Sequence, residues 1–324
     1  MKGRWVKPEV REAVVELVDY GITRVGMPRK RLLHWLGLAP GKYYDWKHRQ
    51  GQPNRHNGQI PSRHWLQPWE REAIVAYTGE HPLDGYRRLC YRMIDEHSVA
   101  CAPSTVYRVL KSAGLLQAWE VKASSKGQGF EQPTAPHEHW HIDISYLNIA
   151  GTFYYLCSVL DGYSRFIVHW ALEETMTTTR VEIVLQAARE QVPGAHPRII
   201  SDNGPQFIAQ DFKEFIRLCE MTHVRTSSYY PQSNGKLERW HKSLKGECIR
   251  PNSPVSLADA QHLVAAYVEH YNSVRLHSAI GYITPQAQLE GREAAIFAER
   301  QHRLAQARAA RLTAYQIQHT GRAA

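Results

Sequence analysis

Apolar residues in the first fifty positions recur at helical spacing. Residues 8–20 predict a helix that ends at Gly21, and two shorter helices are predicted at 29–37 and 41–49. The apolar residues assigned to one face of the first helix are Val10, Val14, Leu17 and Val18. Two short helices after a longer one, the last rich in Tyr, Trp and Lys, indicate a helix-turn-helix unit that contacts DNA. An ordinary three-helix bundle with a solvated basic face fits the same pattern.

A second helical block follows a polar linker. Residues 50–63 lack periodicity and are rich in Gly, Pro and polar side chains. Helical patterns return at 68–77, 85–96 and 103–111, which predict a second helix-turn-helix unit. On its last helix, three side chains are candidates for contact with a phosphate backbone: Tyr107, Arg108 and Lys111.

From residue 141 the pattern changes to period two and short apolar runs. Strands are predicted at 141–147, 152–160, 166–170, 198–201 and 223–226. Helices are predicted at 177–191, 211–219 and 235–247. Asp161 and Gly162 turn the second strand into the third as a hairpin. Three antiparallel strands followed by alternating helices and strands predict an α/β fold with one mixed sheet, in the ribonuclease H-like order.

The C-terminal part is predicted to be helical, at 258–271 and 285–310, with a loosely held tail from Leu312. The predicted fold class is therefore α/β, a ribonuclease H-like core with a mixed sheet preceded by all-α helix-turn-helix domains. The predicted divisions are a helix-turn-helix domain (1–49), a linker (50–64), a second helix-turn-helix domain (65–118), a linker (119–137), the α/β core (138–255) and a C-terminal helical extension (256–324).

The formal charge of +9 is unevenly spread along the chain. Residues 1–137 carry a net +8, residues 138–270 a net −3 and residues 271–324 a net +4. Basic segments on both sides of an acidic one suit a metal-binding core that neighbouring domains deliver to a polyanion. The five cysteines form no CxxC pair, which argues against a zinc site or a disulfide framework. The same cysteine pattern fits a reducing cytosol, so a cytoplasmic, nucleoid-associated protein is expected. No apolar run approaches the ~20 residues needed to cross a bilayer, so no membrane partner is expected.

Three acidic residues fall where this layout brings them together. Asp143 lies within the first predicted strand, Asp202 ends the fourth, and Glu238 lies in the first turn of the following helix. The first and fourth strands are neighbours in this fold, so both Asp carboxylates reach one edge and the helix carries Glu238 across them. Each residue alone is more often structural, but each occupies the position in its element from which it can reach the other two.

Three adjacent carboxylates repel each other unless a cation neutralises them. Mg²⁺ or Mn²⁺ suits such a site, because these hard ions accept a few carboxylates together with substrate phosphate oxygens. Two such ions ~4 Å apart activate the attacking oxygen and stabilise the leaving one during displacement at phosphorus. The predicted cofactor is thus a pair of Mg²⁺ ions, for which Mn²⁺ can substitute.

The motifs around these acids resemble those of retroviral-type integrases and bacterial insertion-sequence transposases: WHID at 140–143, SDNGPQF at 201–207 and YYPQSNGKLERWHKSLKGE at 229–247. Thirty-five residues separate Asp202 from Glu238, the spacing that gives the D,D-35-E group its name. HPLDGYRRL at 81–89, STVYRVLK at 104–111 and HYNSVRLHSAIGYITP at 270–285 are similar to the insertion sequence three family in particular. The resemblance covers roughly residues 80–290. The His/Cys zinc module of retroviral integrases is missing, which favours the bacterial branch.

Further residues near the acids are candidates for DNA contact: Asn203, Gln232, Asn234, Lys236, Arg239, Lys242 and Lys245. Lys242 and Lys245 lie four and seven residues after Glu238 and share its helix face. The family also has a basic residue seven positions after its Glu. Gly204 is interpreted as supplying backbone freedom to the turn after Asp202, and Phe207 as a core residue.

The resemblance implies a DNA transposase that binds terminal inverted repeats, cuts at the 3′ end and transfers the strand to a target. It also implies a homo-oligomer on double-stranded DNA and, commonly, a circular intermediate. Two other classes remain open. A ribonuclease H-like nuclease would use the same acids without needing two helix-turn-helix units. A catalytically silent DNA-binding regulator would keep the helical units, but usually loses an acid.

Overall fold

The computed structural model describes residues 6, 8–52, 64–116, 132–225 and 235–320. The chain forms two units, Met1–Arg63 and His64–Ala324. In the first unit, helices α1 (Pro8–Val25), α2 (Arg29–Trp35) and α3 (Pro40–His48) enclose a small apolar core. The residues of that core are Val14, Val15, Val18, Leu33, Leu38, Tyr43 and Trp46.

Two predictions about α1 are wrong. The helix continues through Gly21 to Val25. Gly21 is instead a packing residue: a Cβ there would lie 2.9 Å from Leu32 Cδ1, so the glycine allows α2 to approach α1. The buried face is also rotated from the predicted one. Val15 is fully buried, whereas Val10 and Leu17 are about half exposed. The apolar positions of α1 outnumber those that its two partner helices cover.

The second unit opens with α4 (Pro68–Glu80), α5 (Tyr86–Asp95) and α6 (Pro103–Ser112), as the sequence predicts to within three residues. Their buried residues include Ile74, Leu89, Met93, Val106 and Leu110. Gln67 and Glu70 form a reciprocal capping box that fixes the start of α4.

The centre of the second unit is a five-stranded sheet in the order β3-β2-β1-β4-β5. Its strands are β1 (His139–Ile149), β2 (Thr152–Asp161), β3 (Ile167–Glu173), β4 (Arg198–Ser201) and β5 (Thr222–Arg225). β1, β2 and β3 pair antiparallel, whereas β4 pairs parallel with β1 and with β5. This mixed sheet has the predicted ribonuclease H-like order.

Helices cover both faces of the sheet. They are α7 (Thr178–Gln191), α8 (Pro205–Ile208), α9 (Gln210–Leu218), α10 (Gly235–Leu244), α11 (Arg250–Asn252) and α12 (Leu257–Ser273). Successive residues of β2 point to opposite faces: Cys157 and Val159 join the core beneath α7 and α9, while Leu156 and Leu160 join the core beneath α10 and α12. α10 passes directly into a π-helical turn, Lys245–Ile249, where the sequence predicts uninterrupted α-helix.

The C-terminal segment differs from its prediction in two ways. The long helix expected over 285–310 is divided into α13 (Pro285–Leu289) and α14 (Glu293–Thr320), with Gly291 in a left-handed conformation (φ 66°) between them. The predicted helix end at residue 310 is wrong, since α14 runs on to Thr320, whereas the loosely held tail from Leu312 stays a prediction. A buried ion pair anchors α14 just before this segment: Arg311 donates three hydrogen bonds of 2.6, 3.0 and 3.1 Å to the Glu70 carboxylate.

Further contacts hold α14 against the second helical block. Arg300 pairs with Asp95 at 2.6 Å, and Arg303 donates to the backbone oxygens of Ile94 and Asp95 at the end of α5. The first and last helical segments of this unit therefore pack together, although about 200 residues separate them in sequence. The six-part domain division stays a prediction. Among the described helices, none has both the length and the apolar character needed to cross a bilayer.

Candidate active site

Asp143 and Asp202 lie at the same level on two neighbouring strands. β1 and β4 run parallel, with His141 opposite Ile200. Asp143 lies two residues after His141, and Asp202 lies two residues after Ile200. Because the strands run in the same direction, the two carboxylates lie side by side on β1 and at the end of β4. The sequence prediction depended on this adjacency, and the register supplies it.

Backbone amides orient the two carboxylates. Asp143 Oδ1 accepts a hydrogen bond of 2.9 Å from its neighbour Ile144 N, and Asp202 Oδ1 accepts one of 2.9 Å from Gly204 N. The prediction that Gly204 supplies backbone freedom is wrong, because its φ of −56° is available to any residue. A Cβ at this position would instead lie 3.0 Å from Asp202 Oδ1. The glycine therefore provides room beside the carboxylate rather than an unusual turn.

Glu238 is exposed in the first turn of α10, and the buried side of that helix fixes its position. The buried apolar residues of α10 are Leu237, Trp240 and Leu244. Trp240 Nε1 donates to Ser158 Oγ at 3.1 Å, and Ser158 is the cross-strand partner of Asp143 on β2. This contact ties α10 to the strand beside Asp143. The 237, 240, 244 spacing indicates a core-facing helix side, but the sequence alone does not identify Ser158 as the partner of Trp240.

The charges of Asp202 and Glu238 act on the Asp143 carboxyl. Burial raises the pKa of Asp143 to about 7, and the negative charges of Asp202 and Glu238 add to that rise. The Ile144 amide and the positive charge of Lys245 act in the opposite direction. A partly buried carboxyl with a raised pKa and two carboxylate neighbours is typical of a functional site that binds a cation, because a cation relieves the repulsion between the carboxylates.

The donor set fits a hard divalent cation, because it consists of carboxylate oxygens whose mutual repulsion such an ion would relieve. Among the described residues, however, no group of three or more His, Cys, Asp and Glu side chains stands in a metal-binding arrangement. The carboxylates share one site, but their side chains do not surround a common point.

Replacing Asp143 with Asn is expected to stabilise the metal-free protein above pH 7. The fold raises the pKa of Asp143 from 3.8 to about 7, so it favours the protonated carboxyl. The stability gained from protonation is complete below about pH 4 and is lost as the pH rises through about 7. At pH 8 without divalent ions, the D143N protein should exceed wild type in free energy of unfolding by roughly 2–4 kcal/mol.

Urea denaturation in EDTA from pH 4 to 9 measures this difference, which should vanish near pH 4. The matched control is D211N, on the exposed surface of α9, which should give no gain at pH 8. A D143N protein no more stable than wild type at pH 8 would contradict the electrostatic account of the site.

Two side chains that follow Glu238 on the helix reach Asp143 or its strand. Lys245 Nζ donates to Ser145 Oγ on β1 at 2.8 Å, and burial lowers the pKa of Lys245. His241 Nδ1 lies 3.7 Å from Asp143 Oδ2, and burial lowers the pKa of His241 to about 3, so its ring is neutral. Lys242, by contrast, is exposed. Of the two lysines predicted beside the acids, Lys245 therefore contacts β1, through its hydrogen bond to Ser145.

The other predicted DNA contacts are scattered. Tyr107, Arg108 and Lys111 are exposed on α6, and Asn203 and Arg239 are exposed near the acids. Lys236 is half-buried and donates to Gly162 O at 2.9 Å. Gln232 and Asn234 lie outside the described residues.

The chain is similar in sequence to integrase core domains and to transposases of bacterial insertion sequences. A family model described as an integrase core domain matches residues 133–231, and a second model with the same description matches residues 220–285. A transposase of insertion sequence element IS629 from Shigella sonnei is 23% identical over 270 residues, covering 79% of this chain and 88% of the relative. A putative transposase of IS986/IS6110 from Mycobacterium tuberculosis is 26% identical over 293 residues, covering 82% and 98%.

Among solved structures, the HTLV-2 integrase catalytic core domain in complex with magnesium (trimeric form) matches with a TM-score of 0.40 and 20% identity. That match covers 48% of this chain and 99% of the solved one.

Proposed function

We propose that this chain is an insertion-sequence transposase with an integrase core domain, like the proteins it resembles, and that Asp143, Asp202 and Glu238 are the catalytic residues with which it cuts and joins DNA. The observation that carries this proposal is the common level of Asp143 and Asp202 on parallel strands, with the charge of Glu238 acting on the same carboxyl. The assignment to the insertion sequence three family is consistent with these relatives.

The three carboxylates would hold two Mg²⁺ ions, or Mn²⁺ in their place. Such ions, when bound, neutralise the carboxylates and supply the Lewis acidity for displacement at phosphorus. The chain's own contribution is to orient the ligands. The amides of Ile144 and Gly204 hold one oxygen of each Asp carboxylate, which leaves the other oxygens available.

The residues that follow Glu238 would act on the DNA strand. Lys245 is held at β1 by Ser145 and would pair with a phosphate beside the acids, while exposed Lys242 would contact the next one. His241 is neutral and buried at the edge of the site, so it keeps water away from one side of Asp143. In the first step water cuts the strand, and in the second the freed 3′-hydroxyl attacks a target phosphodiester.

The helical units would recognise the element ends. We propose that the helix-turn-helix units bind the terminal inverted repeats, with Tyr107, Arg108 and Lys111 of α6 on the phosphate backbone. Asn203, Gln232, Asn234, Lys236 and Arg239 would contact DNA around the acids. Two ends must be brought together for transfer, so a homo-oligomer on double-stranded DNA is proposed, in the cytoplasm at the nucleoid.

The proposal is tested by incubating the full-length protein with Mg²⁺ and duplex DNA that carries the element's labelled inverted repeat. Nicking at the 3′ end followed by joining to a second duplex is the expected result. Nicking without joining would favour a ribonuclease H-like nuclease. Binding without either reaction would favour a silent regulator, and both outcomes would overturn the transposition chemistry proposed.

A further inference from the structure

Arg165 lies in the turn between β2 and β3, outside the cluster formed by the three acids. Its backbone has a φ of 69°, a left-handed conformation that costs a non-glycine residue about 1 kcal/mol or more. Its side chain is only partly exposed, and Nε is buried without a hydrogen-bond partner. Within the described parts of the chain, the guanidinium forms no ion pair. Arg165 is therefore a strained residue whose partly buried charge has no ion-pair partner among the described residues.

The nearest acid is already engaged elsewhere. Asp161 is fully buried at the end of β2, and its Oδ1 accepts a hydrogen bond from His137 N. Its Oδ2 accepts hydrogen bonds from both the backbone nitrogen and the hydroxyl of Ser164. Three donors therefore occupy this carboxylate, which stabilises the turn. Asp161 attracts Arg165 through space without forming a salt bridge with it.

Two further basic side chains lie near Arg165: its charge acts on Lys236, whose pKa burial lowers to about 7, and Arg165 and Arg239 both act on the buried His277. Lys236, at the start of α10, donates to Gly162 O in the same turn, and the charge of Arg165 acts on it repulsively. Arg239 is exposed three residues further along α10, on the adjoining part of the same helix side. The segment that precedes α10, residues 226–234, contains neither Asp nor Glu, so it cannot supply the counter-charge.

We propose that Arg165, Lys236 and Arg239 form a second phosphate site, which binds a backbone phosphate of the DNA strand that enters the active site. This inference rests on the proposed function for the identity of its ligand. Arginine presents a planar set of donors suited to phosphate oxygens, and a bound phosphate would return the free energy spent on burying an unpaired guanidinium.

The position of the cluster predicts which phosphate it takes. Lys236 precedes Glu238 by two residues, which places it roughly 160° around the helix from that residue. A helix is about 10–12 Å across with its side chains, and the charges on one strand recur about every 3.4 Å along the DNA axis. A strand that reaches the acids would therefore meet the cluster about three or four nucleotides from the reacting phosphodiester.

The salt dependence of DNA binding tests this site. Full-length wild-type protein, R165Q and R165K bind a duplex carrying the inverted repeat in EDTA at several KCl concentrations. R165Q should bind about tenfold more weakly, and the slope of log K against log [KCl] should fall by about 1, because one phosphate contact is lost. R165K keeps the charge and should keep the slope. R239Q, at an exposed position, should lower the slope as R165Q does.

The matched control is R217Q, which removes one positive charge from the exposed surface of α9, where Arg217 pairs with Glu214. It should leave the slope unchanged. A scan with single methylphosphonate substitutions then locates the contact. In wild type, one neutral phosphate about three or four nucleotides from the cut should weaken binding, and in R165Q the same substitution should have no further effect.

Unchanged slopes for both R165Q and R239Q, in variants that melt at the wild-type temperature, would overturn the phosphate site. Additive effects of R165Q and the methylphosphonate would overturn it as well. Cleavage by the wild-type protein is measured in parallel. If wild type cuts and joins but the slopes do not change, the phosphate site fails alone; if wild type does not cut, the failure belongs to the proposed function.

Discussion

Strand cutting is expected to fall at least about 1000-fold when Glu238 is replaced by Gln, because loss of one carboxylate ligand costs several kcal/mol of transition-state stabilisation. Gln keeps the size of the side chain but removes the charge that a hard cation needs. Glu238 is exposed, whereas its neighbours Leu237 and Trp240 hold the helix in the core. The fold should therefore be unaffected, and the loss should be confined to chemistry.

The measurement is the single-turnover rate of 3′ nicking in Mg²⁺, together with the joining rate from a pre-nicked duplex. Both rates should fall together, since one site carries out both steps. The control is E214Q, the same change at an exposed position on α9, which should retain wild-type rates. DNA binding measured in EDTA should be equal or slightly stronger for E238Q. Full nicking activity in E238Q would show that Glu238 is not a ligand of the reaction centre.

The second large effect is on stability. Replacing Arg311 with Met should destabilise the larger unit by about 3–5 kcal/mol, because it leaves the Glu70 carboxylate buried without its counter-charge. Arg311 and Glu70 are 6% and 5% exposed, and Arg311 also donates to Ala100 O at 2.6 Å. For a unit of this size, the melting temperature should fall by about 10 °C.

Thermal unfolding followed by circular dichroism measures this loss, and limited proteolysis shows whether α14 detaches. The R292M variant breaks an exposed pair with Glu290 and should change stability by less than about 1 kcal/mol. The double variant E70Q/R311M should recover part of the loss, since it removes the unpaired charge. If R311M unfolds at the same temperature as R292M, the ion pair does not hold α14 in place.

The sequence predicted the sheet well because period-two patterns and short apolar runs reflect burial directly. The convergence of Asp143 and Asp202 followed from strand adjacency alone, and the register bears out that adjacency. The catalytic roles of these residues were reached by the same reasoning and stay a prediction.

What the sequence did not predict depends on contacts between distant residues. The Glu70–Arg311 pair joins residues 241 positions apart, and it anchors α14 just before a segment whose own apolar content predicts a loose tail. The bond from Trp240 to Ser158 depends on the angle at which α10 crosses the sheet. Gly204 shows a similar limit, because its role depends on the room available beside Asp202.

The π-helical turn after Leu244 has a consequence for how this region tolerates sequence change. A π-turn accommodates one extra residue in a helix, so the residues before and after it face their neighbours in different rotational phase. Before it, Trp240 donates a hydrogen bond to Ser158 of the sheet; within it, Glu247 pairs with Arg275 at 2.6 Å. The turn thus separates the Trp240–Ser158 hydrogen bond, which fixes α10 on the sheet, from the Glu247–Arg275 ion pair further along the chain. Substitutions that shift the packing around Glu247 can therefore change the geometry of the π-helical turn without rotating Glu238 away from Asp143 and Asp202.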